Sequence, residues 1–275
     1  MLDLGFNDEE RLQYFRTAIG IIDGPIADLG QQIADMEQLP ADSEIARLRA
    51  EMGTWPPSSE HLLDLGVSLT TALQTGHNAL SQISTITAQR ITTSPIVFQS
   101  LLRTTLLAAA RVIHVLLPSR PEDRLAHGKE TLALEATAAF RGLKDSAGFE
   151  ELPGLKPPEG MINALSKQAK TLFPGGNAPG ETRMIDKMLA SVAEALHRAF
   201  GPTVPEEVLA EQVRRIWHTY SGHVHAYSWP RLLPGDLVND LHQIAALLHL
   251  AQMTYLHRAT SGSASSTEPL DFTTG

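Results

Sequence analysis

The sequence predicts an all-α protein, an antiparallel multi-helix bundle, on three observations. Ala and Leu dominate and β-branched runs are few, a balance that favours helix over sheet. Apolar residues recur at spacings of three and four along most of the chain, which is the period of one helix face. Between Ser58 and Ser146 three long helical patterns follow one another through short turns, and short connections make consecutive helices antiparallel neighbours. No internal repeat and no strand pattern rises above background.

Taken in order, Asn7 caps a first helix reaching about Asp23, with Leu12, Phe15, Ile19 and Ile22 on one side, and Gly24-Pro25 ends it. A short amphipathic segment follows on Ile26, Leu29, Ile33 and Met36, then a charged helix from Asp42 to Met52. Gly53 to Pro57 (GTWPP) stops it, because two consecutive prolines forbid helix continuation. Residues 1–57 thus read as an N-terminal helical appendage, 58–259 as the main bundle and 260–275 as a disordered tail.

Within the bundle, Ser58 or Ser59 caps a helix to about Arg90 whose stripe is Leu62, Leu65, Leu69, Leu73, Leu80 and Ile83, with Gly76 in the same row. Ser94-Pro95 is an N-cap and first-turn pair for the most apolar helix, ending at Leu117. Ser119 and Pro121 repeat that device for a helix to about Ser146. After the punctuated stretch 148–160 come helices over 161–173 and 181–200, separated by Pro174 to Gly180 (PGGNAPG). Thr203 and Glu206 form a capping-box pattern with Pro205 in the first turn, opening a helix on Leu209, Val213, Ile216, Tyr220, Val224 and Tyr227. Asp236 caps a last helix to about Arg258.

Composition narrows the function classes. The formal charge of −9 over 275 residues opposes a general nucleic-acid binder, which needs a basic surface to displace phosphate counterions. Cysteine is absent, which removes disulfides, thiolate nucleophiles and Cys-based metal sites. The longest apolar run, Ile96 to Leu117, carries Gln99, Arg103, Arg111 and His114. Two arginines at mid-depth are costly in lipid, so a buried core helix is expected, in a cytoplasmic protein that does not enter the membrane.

The densest chemistry lies between Thr203 and Trp229. At about 100° per residue Glu207, Glu211, Arg214, His218, Ser221 and His225 fall on one stripe beside the apolar face. On the last helix His242 and His249 share a face, and the hairpin geometry places Arg214 and His218 within reach of them. A third ridge joins Gln99, Arg103 and His114. Arg103 is expected to be at least half buried and paired with a carboxylate, from Glu207, Glu211, Glu130 or Glu135, its loss costing about 3 kcal/mol or more. Beside the reading of these ridges as a site stands a plain one, ion pairs and edge residues that only tie helices together.

Metal binding is not expected, and no cofactor is. His223 and His225 are two apart, so on a helix they point about 200° from one another, and no HExxH motif occurs. Ser221 lacks the G-x-S-x-G elbow of a hydrolase nucleophile.

The order of elements, with IVFQSLLRTTLLAAARVIHVLLPSRPEDRL in mid-chain and WHTYSGHVHAYSW near the end, resembles a group of all-helical, uncharacterised bacterial proteins common in actinobacteria. The shared features are the mid-chain arginine-bearing helix, an arginine at Arg124, and Tyr220, Ser221, Gly222 and His225 as a Tyr-Ser-Gly-x-x-His segment. More remotely the chain is similar to HEPN-type helical bundles, ribonucleases and nucleotide-binding modules of toxin–antitoxin and phage-defence systems. Active members of that class space an Arg and a His by four to six residues; here Arg214 and His218 have three between them, Arg215 and His223 seven.

These readings converge on a binding or interaction protein of a bacterial defence or stress system. It would recognise an anionic small molecule or protein partner through Arg103, His114, Arg214, His218, Ser221, His225, His242 and His249. The alternatives are a metal-independent hydrolase of RNA or a nucleotide, using His218 or His225 as acid/base and Arg214 on the developing charge, and a structural protein that self-associates as a homo-oligomer.

Overall fold

The computed structural model describes residues 39–53, 62–89, 94–148, 156–158, 160–176, 178–200, 206–224 and 237–260. Among them the chain is an all-α antiparallel bundle of eight helices without a strand. They are α1 (Glu44–Glu51), α2 (Leu65–Ala88), α3 (Pro95–Leu116), α4 (Pro121–Ala147), α5 (Met161–Leu172), α6 (Glu181–Phe200), α7 (Glu206–Val224) and α8 (Leu237–Thr260). The two helices expected before residue 37, the caps expected at Ser58, Ser59, Thr203 and Asp236, and the tail after Thr260 lie outside the described residues.

The hub is α3, which packs against α2, α4, α6, α7 and α8. Its sequence explains why. Phe98, Leu102, Leu106, Ile113 and Leu116 are buried on several sides of the helix, and Ala108, Ala109 and Ala110 leave little bulk at its waist. At that waist α2 supplies Gly76, where an added Cβ would stand 2.9 Å from Ala108 Cβ and 3.0 Å from Leu248 Cδ1. Three helices therefore converge on a hydrogen atom. Thr105 Oγ1 donates to the Gly76 carbonyl at 3.3 Å across the same contact.

By length and mean hydropathy α3 could cross a membrane. Five helix neighbours already cover it, and in lipid Arg103 and Arg111 would each cost about 2.5–3.5 kcal/mol at the helix centre. It is the core strut of the bundle.

Two helix starts differ from the sequence expectation. The first turn of α2 follows Asp64, whose Oδ1 accepts from Val67 N at 3.1 Å, rather than a serine at 58 or 59. The other oxygen of that carboxylate takes Arg49 Nε at 2.9 Å, so one buried side chain both caps α2 and holds α1. At α4 the serine device is not repeated. Arg120 is the N-cap and makes no side-chain cap bond, while Ser119 Oγ reaches Glu194 at 3.5 Å. Pro121 at the first position has no N–H to cap, and Glu122 and Asp123 put negative charge at the positive end of the helix instead. Ser94 caps α3 as expected, accepting from Ile96 N at 3.4 Å.

The α3–α4 corner is closed by arginines. Arg124 is fully buried; its Nε donates to Glu44 Oε1 at 2.9 Å and its Nη1 to the carbonyls of Pro118 at 2.6 Å and Ser119 at 2.8 Å. Arg258 Nε donates to the Leu116 carbonyl at 3.3 Å. Arg258 thus satisfies a carbonyl at the end of α3, and Arg124 two carbonyls of the turn that follows it. Glu44 answers to Arg124 and Arg47 together: burial alone would raise its pKa, but the hydrogen bonds and charges of the two arginines hold it below the ordinary value. Through these pairs and the buried Ile45, Leu48 and Met52, α1 joins the main core.

Candidate functional site

Two polar centres in the bundle hold expected site residues, and the first borders an open cleft. Its anchor is Arg103, midway along α3, on the side facing the start of α6 and the end of α7. Nε donates to Ser221 Oγ at 3.0 Å and Nη2 to Glu181 Oε2 at 3.3 Å. The guanidinium carbon lies 4.5 Å from the ring centroid of Trp217, in cation–π range. Trp217 is in turn fixed by its Nε1–H, which donates to Thr182 Oγ1 at 3.2 Å. The arginine side chain is 19% exposed, so it is held on three sides and reachable from a fourth.

A cleft of about 500 Å³ lies over it, lined by Arg103, Trp217, His218 and Ser221 together with the first turn of α6 from Gly180 to Arg183. The Gly180 carbonyl accepts the first helical bond of α6, from Met184 N at 3.2 Å. A glycine in that place brings no side-chain acceptor to the next amides. The positive end of a 20-residue helix, Arg103, Arg183 and the His218 ring therefore border one space, which attracts negative charge. Among the described residues Glu181 is the only carboxylate in that lining.

The expected site residues divide. Arg103, His218 and Ser221 come together in this cleft. Arg214 turns to α6, where Nε donates to Asp186 Oδ1 at 2.6 Å, and both side chains are substantially exposed. His242 is exposed on α8, and His249 is half-buried there, its pKa lowered by burial. Neither is among the described residues that line the cleft. The α7–α8 hairpin is joined by other residues: Arg215 and Tyr220 both donate to the buried Asp240, Tyr220 at 2.6 Å, and Gln243 donates to Gln212 at 3.1 Å. His225 lies outside the described residues. The partner of Arg103 is Glu181 and none of the four carboxylates expected; Glu135 is engaged by Ser68 and Glu130 by Lys187.

His114 sits 11 residues from Arg103, about 16 Å along the helix, in the second centre. It is 2% exposed and stacks on His127 of α4 with ring centroids 4.0 Å apart. Its Nε2 is 3.5 Å from Glu130 Oε2, and Lys187 Nζ of α6 donates to both Glu130 oxygens at 2.8 and 2.9 Å. Burial, then the nearby His127 and Lys187, pushes the His114 pKa down to about 2. The ring is neutral at ordinary pH, so its approach to Glu130 is not an ion pair; the long separation agrees. Burial also lowers His127, whose Nδ1 lies 2.8 Å from the His114 carbonyl.

Sequence spacing missed Trp217, the first turn of α6 and the His127–Glu130 pair. Two had a signal available: a glycine-rich break before a long helix marks an uncapped amino end, and His127 with Glu130 is an i, i+3 pair on one helix face.

Compared with known proteins, the chain matches no family model, and no curated protein or solved structure shows significant similarity to it.

Proposed function

We propose that the protein binds an anionic group, phosphate or carboxylate, in the Arg103 cleft, as a helical binding or interaction protein of the cytoplasm. One observation carries this reading. Arg103 is presented at an open cleft with its plane fixed by Trp217 and Ser221, and its carboxylate partner, Glu181, is 35% exposed and bonded at the long distance of 3.3 Å. An incoming anion can replace Glu181 there and add the α6 amides, Arg183 and His218. A guanidinium already ordered on an aromatic face loses little freedom on binding, so more of its hydrogen-bond energy appears as affinity. The resemblance to helical bundles of bacterial defence systems makes a phosphate-bearing ligand or partner the first class to try.

Calorimetric titration with inorganic phosphate, nucleotides and short RNA tests it, with tryptophan fluorescence as a second readout because Trp217 stacks on the arginine. Binding should weaken as salt rises. Arg103→Ala should weaken it about ten- to a hundredfold, the equivalent of one charge-assisted hydrogen-bonding group. Affinity unchanged in Arg103→Ala would remove the reading.

The hydrolase reading keeps one supporting observation, an exposed imidazole, His218, beside Arg103 in the same cleft. Arg214, its expected charge-stabilising partner, is engaged by Asp186 outside the lining. Cleavage of RNA or a nucleotide that is lost in His218→Ala with the melting temperature unchanged would favour it over simple binding.

A further inference from the structure

The geometry points to a divalent transition-metal site formed by His114, His127 and Glu130, with Lys187 as the internal cation that competes for it. Spacing within one helix predicts no metal because it compares only residues of the same helix, such as His223 and His225. The three residues here come from two helices brought side by side by the α3–α4 corner. One ligand atom from each can be chosen so that all three lie within 4.8 Å of one another, and the set is partly or fully buried.

Four features favour an ion over a plain polar contact. Two imidazoles and one carboxylate are a donor set suited to zinc and its neighbours, with further positions left for water or a ligand. His127 and Glu130 are i, i+3 on α4, so both project from one helix face. The contact of His127 Nδ1 with the His114 carbonyl at 2.8 Å requires an N–H there, which leaves Nε2 as the nitrogen with a free lone pair; backbone anchoring of this kind is what orients metal-bound histidines. His114 Nδ1, finally, is buried with no hydrogen-bond partner among the described residues, a cost that an ion on that nitrogen would relieve.

Two features oppose it and define the competition. Lys187 already neutralises Glu130, and the two rings are stacked at an interplanar angle of 18°, so both can reach one ion only if a ring turns out of the stack. Lys187 is 28% exposed and Glu130 17%. The ammonium can therefore swing to water and open the way in.

The test uses the full chain, stripped with a chelator and titrated with Co²⁺, whose visible d–d bands report coordination, and then with Zn²⁺ in competition. The expected result is one equivalent of Co²⁺ with distinct d–d bands, and a thermal shift on Zn²⁺ addition. Glu130→Gln, which keeps the side-chain shape and an acceptor for Lys187, should weaken binding at least about tenfold, and His127→Ala likewise. Lys187→Met should strengthen it by a similar factor. Circular dichroism of each variant separates lost coordination from lost folding, and Glu130→Gln carries the result if His127→Ala unfolds. Absence of d–d bands in both the wild type and Lys187→Met would overturn the inference, as would bands that persist unchanged in Glu130→Gln. An affinity in Lys187→Met no higher than in the wild type would overturn the competition.

Discussion

At the scale of single residues, His114 makes the fold sensitive to acid. The unfolded chain protonates this ring near 6.5, whereas burial delays protonation in the folded state to about 2. Between those values the unfolded state holds the extra proton, so stability is complete above pH 6.5 and falls as pH drops. The slope from this ring approaches about 1.4 kcal/mol per pH unit once pH is well below 6.5. His127 and His249, lowered for the same first reason, add in the same direction. Glu44, held below 4.5, contributes only at still lower pH. Urea midpoints at pH 7.5, 6.0 and 5.0 should therefore fall steadily for the wild type and less steeply for His114→Leu; parallel slopes would show that the ring is not the cause. Arg103 behaves differently. Its partner Glu181 can turn to water when left alone, so Arg103→Ala should cost about 1–2 kcal/mol rather than the 3 or more expected of a fully buried charge, and thermal melts can tell these apart.

At the scale of elements, the contact of α2 with α3 turns on Gly76. A methyl group there meets Ala108 and Leu248 at or below 3.0 Å, and Leu248 alone is flexible. Gly76→Ala gains about 1 kcal/mol of helix propensity and loses about 1–3 kcal/mol to overpacking. Net destabilisation should follow, partly recovered in the double variant with Leu248→Ala; a stabilised single variant would mean that the helices separate freely. The helices themselves were legible because their periodicity is local, and so was Ser94-Pro95, a cap that needs nothing beyond its own turn. The starts of α2 and α4 were not. Asp64 is chosen as a cap partly because Arg49, 15 residues earlier, holds it, and Ser119 is drawn to Glu194, 75 residues later. The same limit governed the sites. Arg103, His218 and Ser221 could be picked out as polar residues on apolar helices, but the choice of Glu181 over four nearer-looking carboxylates depends on how α6 crosses α3, which no helical wheel contains.

At the scale of the whole molecule, two buried pairs bind α1 to distant elements, Arg49 with Asp64 and Arg124 with Glu44. Arg124 and Glu44 are 0% and 1% exposed, so removing either leaves a charge in the core. Glu44→Ala should cost about 3–5 kcal/mol, whereas Glu51→Ala, at the exposed end of the same helix, should cost about 0.5 kcal/mol or less. Equal effects in urea unfolding would show that α1 is only loosely attached.

The Arg124–Glu44 pair also sets an order of events in biosynthesis. The two residues are 80 positions apart, so at roughly 5–20 residues per second a ribosome needs about 4–16 s after making Glu44 to make its arginine, and longer for Arg124 to leave the exit tunnel. Until then α1 has a carboxylate waiting for burial and cannot dock. Nascent chains arrested before Arg124 emerges should be cut readily by protease within 39–53, and chains arrested after the whole of α4 has emerged should resist.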